Sequence, residues 1–369
     1  MKNRLYKIGK YFLYSVLVVF LIGLIGLVIL YFKSPGEAEA IVDQKGAIIP
    51  KSISEIEKIR LGGIEQYIII RGYDQSKPIM LFLHGGPGSP EAATIRKYNP
   101  DLEKMFVMVY WEQRGAGKSY SNSITAEEMK VEYFISDIKA LSEHLIQRFD
   151  KKKIHLMGHS WGSFIGILAV HSHPELFYDY IGIGQVADQY RSEQLSLNWI
   201  KQQAVLRDDN AAQQDIAALQ FPRKDSSAEE WIDYLLIQRS FVDKFGGGLH
   251  RENSTMWKRL KPLINNKSYT VSDKVNFGKG VFFSLEHLWS DLVLTNLFEE
   301  IDSIAIPVYF FHGRHDNQTV YPVAYEFYEH VKTPKKEFFT FEDAAHSPIF
   351  DNSRLFNERV ESVVADESY

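Results

Sequence analysis

The chain of 369 residues contains no cysteine. Disulfides, thiolate metal sites and a cysteine nucleophile are excluded together. Charge of one sign is also scarce: 42 basic and 47 acidic residues leave a net charge of −5, with no cluster. Nothing there fits a nucleic-acid partner. The histidines show no H-E-x-x-H or comparable spacing, and His171 and His173, two apart near a helix end, read as surface. Gly115-Ala116-Gly117-Lys118-Ser119 ends like a phosphate-binding loop but lacks its spacing. No metal and no cofactor are expected. Internal repeats and long disordered tracts are not apparent.

Long apolar runs are missing except at the start. Tyr11 to Phe32 is a run of 22 residues without charge. As a helix it is about 33 Å long, enough for a hydrocarbon core of about 30 Å. Lys2, Arg4, Lys7 and Lys10 precede it, whereas Lys33, Glu37 and Glu39 follow. The positive-inside rule puts the N-terminus in the cytoplasm and the rest of the chain outside. Tyr11, Tyr14, Tyr31 and Phe32 stand near the two ends, where interfacial aromatics belong. The competing reading is a signal peptide cut near Ala38-Glu39-Ala40, which would secrete the remainder. The run exceeds a signal core of roughly 7–15 residues, which favours a retained anchor.

Residues 1–33 are therefore read as tail and transmembrane helix, and 34–60 as a stalk. Beyond them apolar and amphipathic runs alternate. Strands are predicted at Gln66–Ile70, Pro78–Leu83, Met105–Tyr110, Lys153–Met157, Pro307–Phe311 and Glu337–Phe341. Helices are predicted at Ala126–Phe149, behind a Thr125/Glu128 capping box, at Trp161–His171 and around Tyr321–Val331. Phe134, Ile138, Leu141 and Leu145 repeat at helical spacing. Alternation of this kind implies an α/β fold with a mostly parallel sheet and helices on both faces. Residues 188–300 break the rhythm, and four of the six tryptophans (Trp199, Trp231, Trp257, Trp289) fall there. We read them as a helical cap inserted between two parts of one core, 61–187 and 301–369.

Gly158-His159-Ser160-Trp161-Gly162 is a G-x-S-x-G between a strand and a helix. A sharp strand-to-helix turn exposes the serine Oγ, and its glycines permit the close backbone approach. Ser160 is the expected nucleophile, at a helix N-terminus that favours developing negative charge. Its partners follow in the order acid, then histidine. Asp316 and His346 lie on loops just past strand ends, where open α/β sheets place their sites. His346 would take the serine proton, and Asp316 would hold its tautomer. His312, His315 and Asp343 are neighbours that could be mistaken for these partners. His84-Gly85-Gly86-Pro87-Gly88 follows a strand directly. It offers the backbone N–H of Gly86, beside that of Trp161, as an oxyanion hole.

Together these segments resemble the prolyl aminopeptidases (proline iminopeptidases) among α/β-hydrolases. His84–Gly88 is similar to their oxyanion loop, and Gly158–Ser163 to their elbow. Gln113-Arg114-Gly115-Ala116-Gly117-Lys118-Ser119 is similar to their second glycine-rich loop. The segments around Asp316 and His346 resemble their acid and histidine loops. Residues 64–187 and 303–350 carry the likeness. It implies an α/β-hydrolase fold with a helical cap, acting on a short peptide or other small molecule.

Two departures stand out. Glu112 precedes Gln113-Arg114 where the family usually has aspartate. The family's cap glutamates, which bind the substrate's α-amine, have no residue-by-residue match; Glu286 and Glu230 are the candidates. The expected activity is a serine hydrolase forming an acyl-enzyme, foremost an aminopeptidase. A carboxylesterase or lipase-like hydrolase, and a non-catalytic sensor with a hydrolase pocket, are the alternatives.

Overall fold

The computed structural model describes residues 2–252 and 254–365. Eight strands form one sheet: β1 (Ile53–Leu61), β2 (Ile64–Gly72), β3 (Ile79–Leu83), β4 (Val107–Glu112), β5 (Ile154–His159), β6 (Phe177–Ile183), β7 (Val308–Gly313) and β8 (Lys336–Phe341). Their order is β1-β2-β4-β3-β5-β6-β7-β8. β1 and β2 form an antiparallel hairpin, β2 runs antiparallel to β4, and all remaining pairs are parallel.

The helices of more than one and a half turns are α1 (Lys2–Phe32), α2 (Ala92–Tyr98), α3 (Val131–Arg148), α4 (Trp161–Ser172), α5 (Gln189–Leu206), α6 (Asn210–Ala218), α7 (Ala228–Phe245), α8 (Met256–Ile264), α9 (Val271–Leu294), α10 (Tyr321–His330) and α11 (Ser353–Ala365). Strand side chains alternate between faces, and two cores result. Ile68, Ile70, Leu81, Val109 and Leu156 meet Phe134, Ile138, Leu141 and Leu145 of α3 on one face. Ile69, Met80, Phe82, Met108 and Met157 meet Phe356, Val360 and Val363 of α11 on the other. Each such side chain contributes about 1.5–3 kcal/mol on burial.

Three readings change. The Thr125/Glu128 capping box is present, but it closes only a 3₁₀ turn at Ala126–Glu128. Lys130 is extended, and α3 begins at Val131. β1 starts inside the segment read as a stalk, because its half-polar sequence is that of an edge strand with one covered face. β6 was not foreseen. Its alternation is masked by Asp179, which is buried because it pairs with His155 at 2.8 Å.

Between β6 and β7 the described residues form helices α5 to α9 and no strand. Leu197, Ile200, Ile216, Val242 and Phe245 build a small core of their own there. α1 stands apart: Lys7–Phe32 is long and apolar enough to cross a membrane, and none of it is buried against the rest of the chain.

Candidate active site

The β5–α4 junction is sharp. Ser160 sits at φ 55° and ψ −119°, a backbone conformation that only a tightly constrained non-glycine residue holds. Gly158 and Gly162 make it possible: a Cβ on Gly158 would lie 2.3 Å from the Gly162 carbonyl oxygen, and one on Gly162 2.0 Å from that of Leu83. α4 starts at Trp161, so its backbone N–H belongs to a first turn with no partner inside the helix. The Trp161 indole is buried and donates to Gln113 Oε1 at 2.9 Å. Gln113 Nε2 in turn donates to the His84 carbonyl at 3.0 Å. The elbow, the second glycine-rich loop and the His84–Gly88 loop are thus cross-tied.

Asp316, past β7, and His346, past β8, are brought together. His346 Nδ1 donates to Asp316 Oδ2 at 2.8 Å. The carboxylate also accepts from Gln318 N, Thr319 N and Thr319 Oγ1 at 2.8–3.0 Å. Burial alone would raise the Asp316 pKa, but His346 and His312 hold it well below the usual carboxylate range. Burial pushes His346 down despite Asp316, and the nearby His159 and His312 push the same way. His346 is therefore a neutral base at neutral pH, free to accept a proton. His312 and His315 are not placed as bases: His312 Nε2 bonds the Thr319 carbonyl behind Asp316, and His315 lies outside the cavities described below.

A second carboxylate–imidazole pair lies beside the first. Glu91 Oε1 accepts from His159 Nδ1 at 2.8 Å, and Glu91 Oε2 from Gly85 N at 3.0 Å. His159 Nε2 lies 3.2 Å from the His346 carbonyl, and its ring centroid is 4.9 Å from that of His346. Burial lowers the His159 pKa, yet Glu91 more than offsets it, and His159 in turn lowers the Glu91 pKa, so each favours the charged form of the other. Sequence reasoning passed over both residues. The signal was available in part, since His159 is the first variable position of the G-x-S-x-G itself.

Ser160 stands where two cavities meet. Gly86, Ser160, Leu285 and Gln318 line both. The first, about 300 Å³, has apolar walls from Ile232, Leu235 and Leu236 of α7 and Leu285, Trp289 and Leu292 of α9. Its charged members are Arg239 and Asp243. Arg239 pairs with the fully buried Glu193. The second cavity, about 390 Å³, contains His346, with Lys258, Leu260 and Leu263 of α8 on its wall.

Neither expected amine ligand reaches these cavities. Glu230 is exposed, closes the α7 capping box with Ser227, and shares a helix face with Asp233 and Ile237, opposite Ile232 and Leu236. Glu286 is exposed on α9, while its neighbour Leu285 points inward. A glutamate early in a helix is first of all a cap. Glu112, the other departure, ends β4 buried and accepts from Tyr269 Oη at 2.6 Å and from Lys118 N at 3.0 Å. Its extra methylene extends its reach toward the start of α9.

Comparison with known proteins identifies the family. The alpha/beta hydrolase fold family matches residues 78–353. A probable aminopeptidase of Bacillus subtilis (strain 168) is 33% identical over 309 residues, covering 83% of this chain and 95% of the relative. A proline iminopeptidase of Lactobacillus helveticus is 32% identical over 124 residues, 32% of this chain and 39% of that enzyme. Among solved structures, the proline iminopeptidase of Mycobacterium smegmatis superposes with a TM-score of 0.61 at 15% identity, over 85% of this chain and 98% of that one. An esterase from Exiguobacterium antarcticum does so at 0.55 and 18% identity, over 84% and 98%. Likeness at such low identity speaks for the fold alone.

Proposed function

The chain belongs to the alpha/beta hydrolase fold family, and from that premise we propose that it is a serine hydrolase working through an acyl-enzyme at Ser160. The observation that carries the proposal is Ser160, held at a positive φ where two cavities meet, beside a buried His346–Asp316 pair. Ser160 Oγ attacks the carbonyl and His346 takes its proton. The N–H groups of Gly86 and Trp161 receive the oxyanion. His346 then protonates the leaving group, and water reverses the sequence.

His346 lines only the second cavity, so the leaving group occupies that one and the acyl part the first. In an aminopeptidase the free α-amine belongs to the acyl part. Asp243 is the acid on the lining of the first cavity, beside Arg239 whose own partner is Glu193, and a carboxylate there suits an ammonium group. Asp243 thus takes the role expected of Glu230 or Glu286, and helices of residues 188–300 act as a cap over the site. A carboxylesterase reading draws on the apolar side chains of the same cavity. We also propose that α1 is a retained anchor, with the N-terminus cytoplasmic and the catalytic domain outside. Cleavage after Ala40 would detach Glu39, which is bonded to Arg96 and Lys267 and whose carbonyl accepts from Arg71.

The test is hydrolysis of proline, alanine and leucine anilides beside a short-chain acyl ester. Anilide turnover is expected to vanish when the substrate amine is acylated, and Ser160→Ala is expected to lose on the order of 10⁶ in kcat. Asp243→Asn should raise KM for the anilides at least about tenfold while sparing the ester. Serine-dependent turnover of the ester alone would establish the esterase reading instead.

A further inference from the structure

Two walls of the site meet the end of the anchor, α9 through Lys274 and α8 along its C-terminal end. Lys33, the first residue past α1, donates from Nζ to Asn265 Oδ1, the residue that ends α8, at 3.2 Å. Lys274 Nζ donates at 2.7 Å both to Ser34 Oγ and to the Ile264 carbonyl, the last of α8. Gly36 N and Glu37 N both donate to the Lys267 carbonyl. The point where the apolar helix ends is therefore fixed to the C-terminal end of α8. At about 1.5 Å per residue, Trp257 lies no more than roughly 10 Å along the helix from that point. Half-layers of headgroups are roughly 5–8 Å thick, so α8 keeps Trp257 within the layer when it runs across the axis of the anchor and not along it.

The exposed side of α8 suits that position. Trp257 is 63% exposed and Leu260 38%, and Lys261 lies beside them. The groove next to α8 adds Lys97 and Arg96, with Glu39 as its single acid. A tryptophan, a leucine and flanking lysines are the composition of a helix lying in a headgroup layer, with apolar side chains at the acyl boundary and cations on anionic lipid. Lys258, Leu260 and Leu263 of the same helix also line the leaving-group cavity, so the exposed Leu260 sits at its rim.

We infer that α8 rests on the surface of the bilayer that α1 crosses, with Trp257 and Leu260 in the headgroup boundary, so that the leaving-group cavity opens onto the membrane. This rests on the proposal that α1 is a retained anchor. Substrates with an amphiphilic leaving portion, such as lipid-linked peptides or acyl amides held at the surface, then reach Ser160 without leaving the membrane.

Tryptophan fluorescence reads the contact directly. α1 contains no tryptophan. Trp111, Trp161, Trp231 and Trp289 are buried, Trp199 is half-buried, and Trp257 is exposed. The full chain and Trp257→Phe are reconstituted into vesicles of phosphatidylcholine and phosphatidylglycerol, with acyl chains brominated near the headgroup or unbrominated. Flotation of both proteins with the vesicles, with bromine quenching in the wild type that is lost in Trp257→Phe, is the expected result. Flotation with equal quenching in the two proteins, or none, overturns the surface contact and leaves the anchor standing. Failure to float overturns the anchor reading, and the inference falls with it.

Discussion

Glu91 raises the His159 pKa, and a charge on His159 in turn lowers that of His346, the proposed base. Loss of the Glu91 carboxylate removes the partner that holds the His159 proton. His346 then escapes a like charge, and its own pKa rises. For Glu91→Gln the acid limb of the kcat/KM profile is therefore expected at higher pH than in the wild type. At neutral pH the rate should fall roughly ten- to a hundredfold, because the Gly85 loop and the His346 loop also lose their shared anchor. An unmoved acid limb, whatever the rate, would mean that the pair is only structural. At this scale Ser160, Asp316 and His346 stood out in the sequence because each sits in a short motif next to a strand end. Glu91, Glu193, Arg239 and Asp243 were not, since what makes them notable is burial and partners far away in the chain.

Elements show a different balance. Strands with continuous apolar runs, such as β3 and β5, were readable within a residue or two of their ends. β6 was hidden by its paired Asp179, and α3 began late because Lys130 breaks the backbone that the Thr125 box had started. The end of β4 carries a prediction. Burial, against the pull of Tyr269 and Lys118, raises the Glu112 pKa from 4.5 to about 7. The folded state thus holds a proton that the unfolded state has released between these values, so the contribution to stability is complete below pH 4.5 and declines until about pH 7. The decline is on the order of 3 kcal/mol. In Glu112→Gln, which keeps the acceptor for Tyr269, this part of the pH dependence should disappear. Urea midpoints of wild type and variant, taken from pH 4.5 to 8, are expected to diverge in favour of the variant as pH rises. Parallel curves would show that Glu112 does not titrate there.

The whole molecule joins an apolar N-terminal helix, an eight-stranded sheet and a helical segment whose inner face completes both cavities. The alternation of strands and helices announced the sheet. It could not announce the β1–β2 hairpin or the strand order, because pairing partners leave no periodicity. Nor could it place Glu230 and Glu286, whose side of the helix is set by packing against Trp231 and Leu288. The central claim is that Ser160 forms a covalent acyl intermediate with help from His346. The most direct measurement is mass spectrometry of the full chain after reaction with a fluorophosphonate. One adduct on the peptide containing Ser160 is expected. It should be absent in Ser160→Ala and form about 10³-fold more slowly or less in His346→Ala. Labelling that persists in Ser160→Ala, or a folded wild type that takes up no label, would contradict the account.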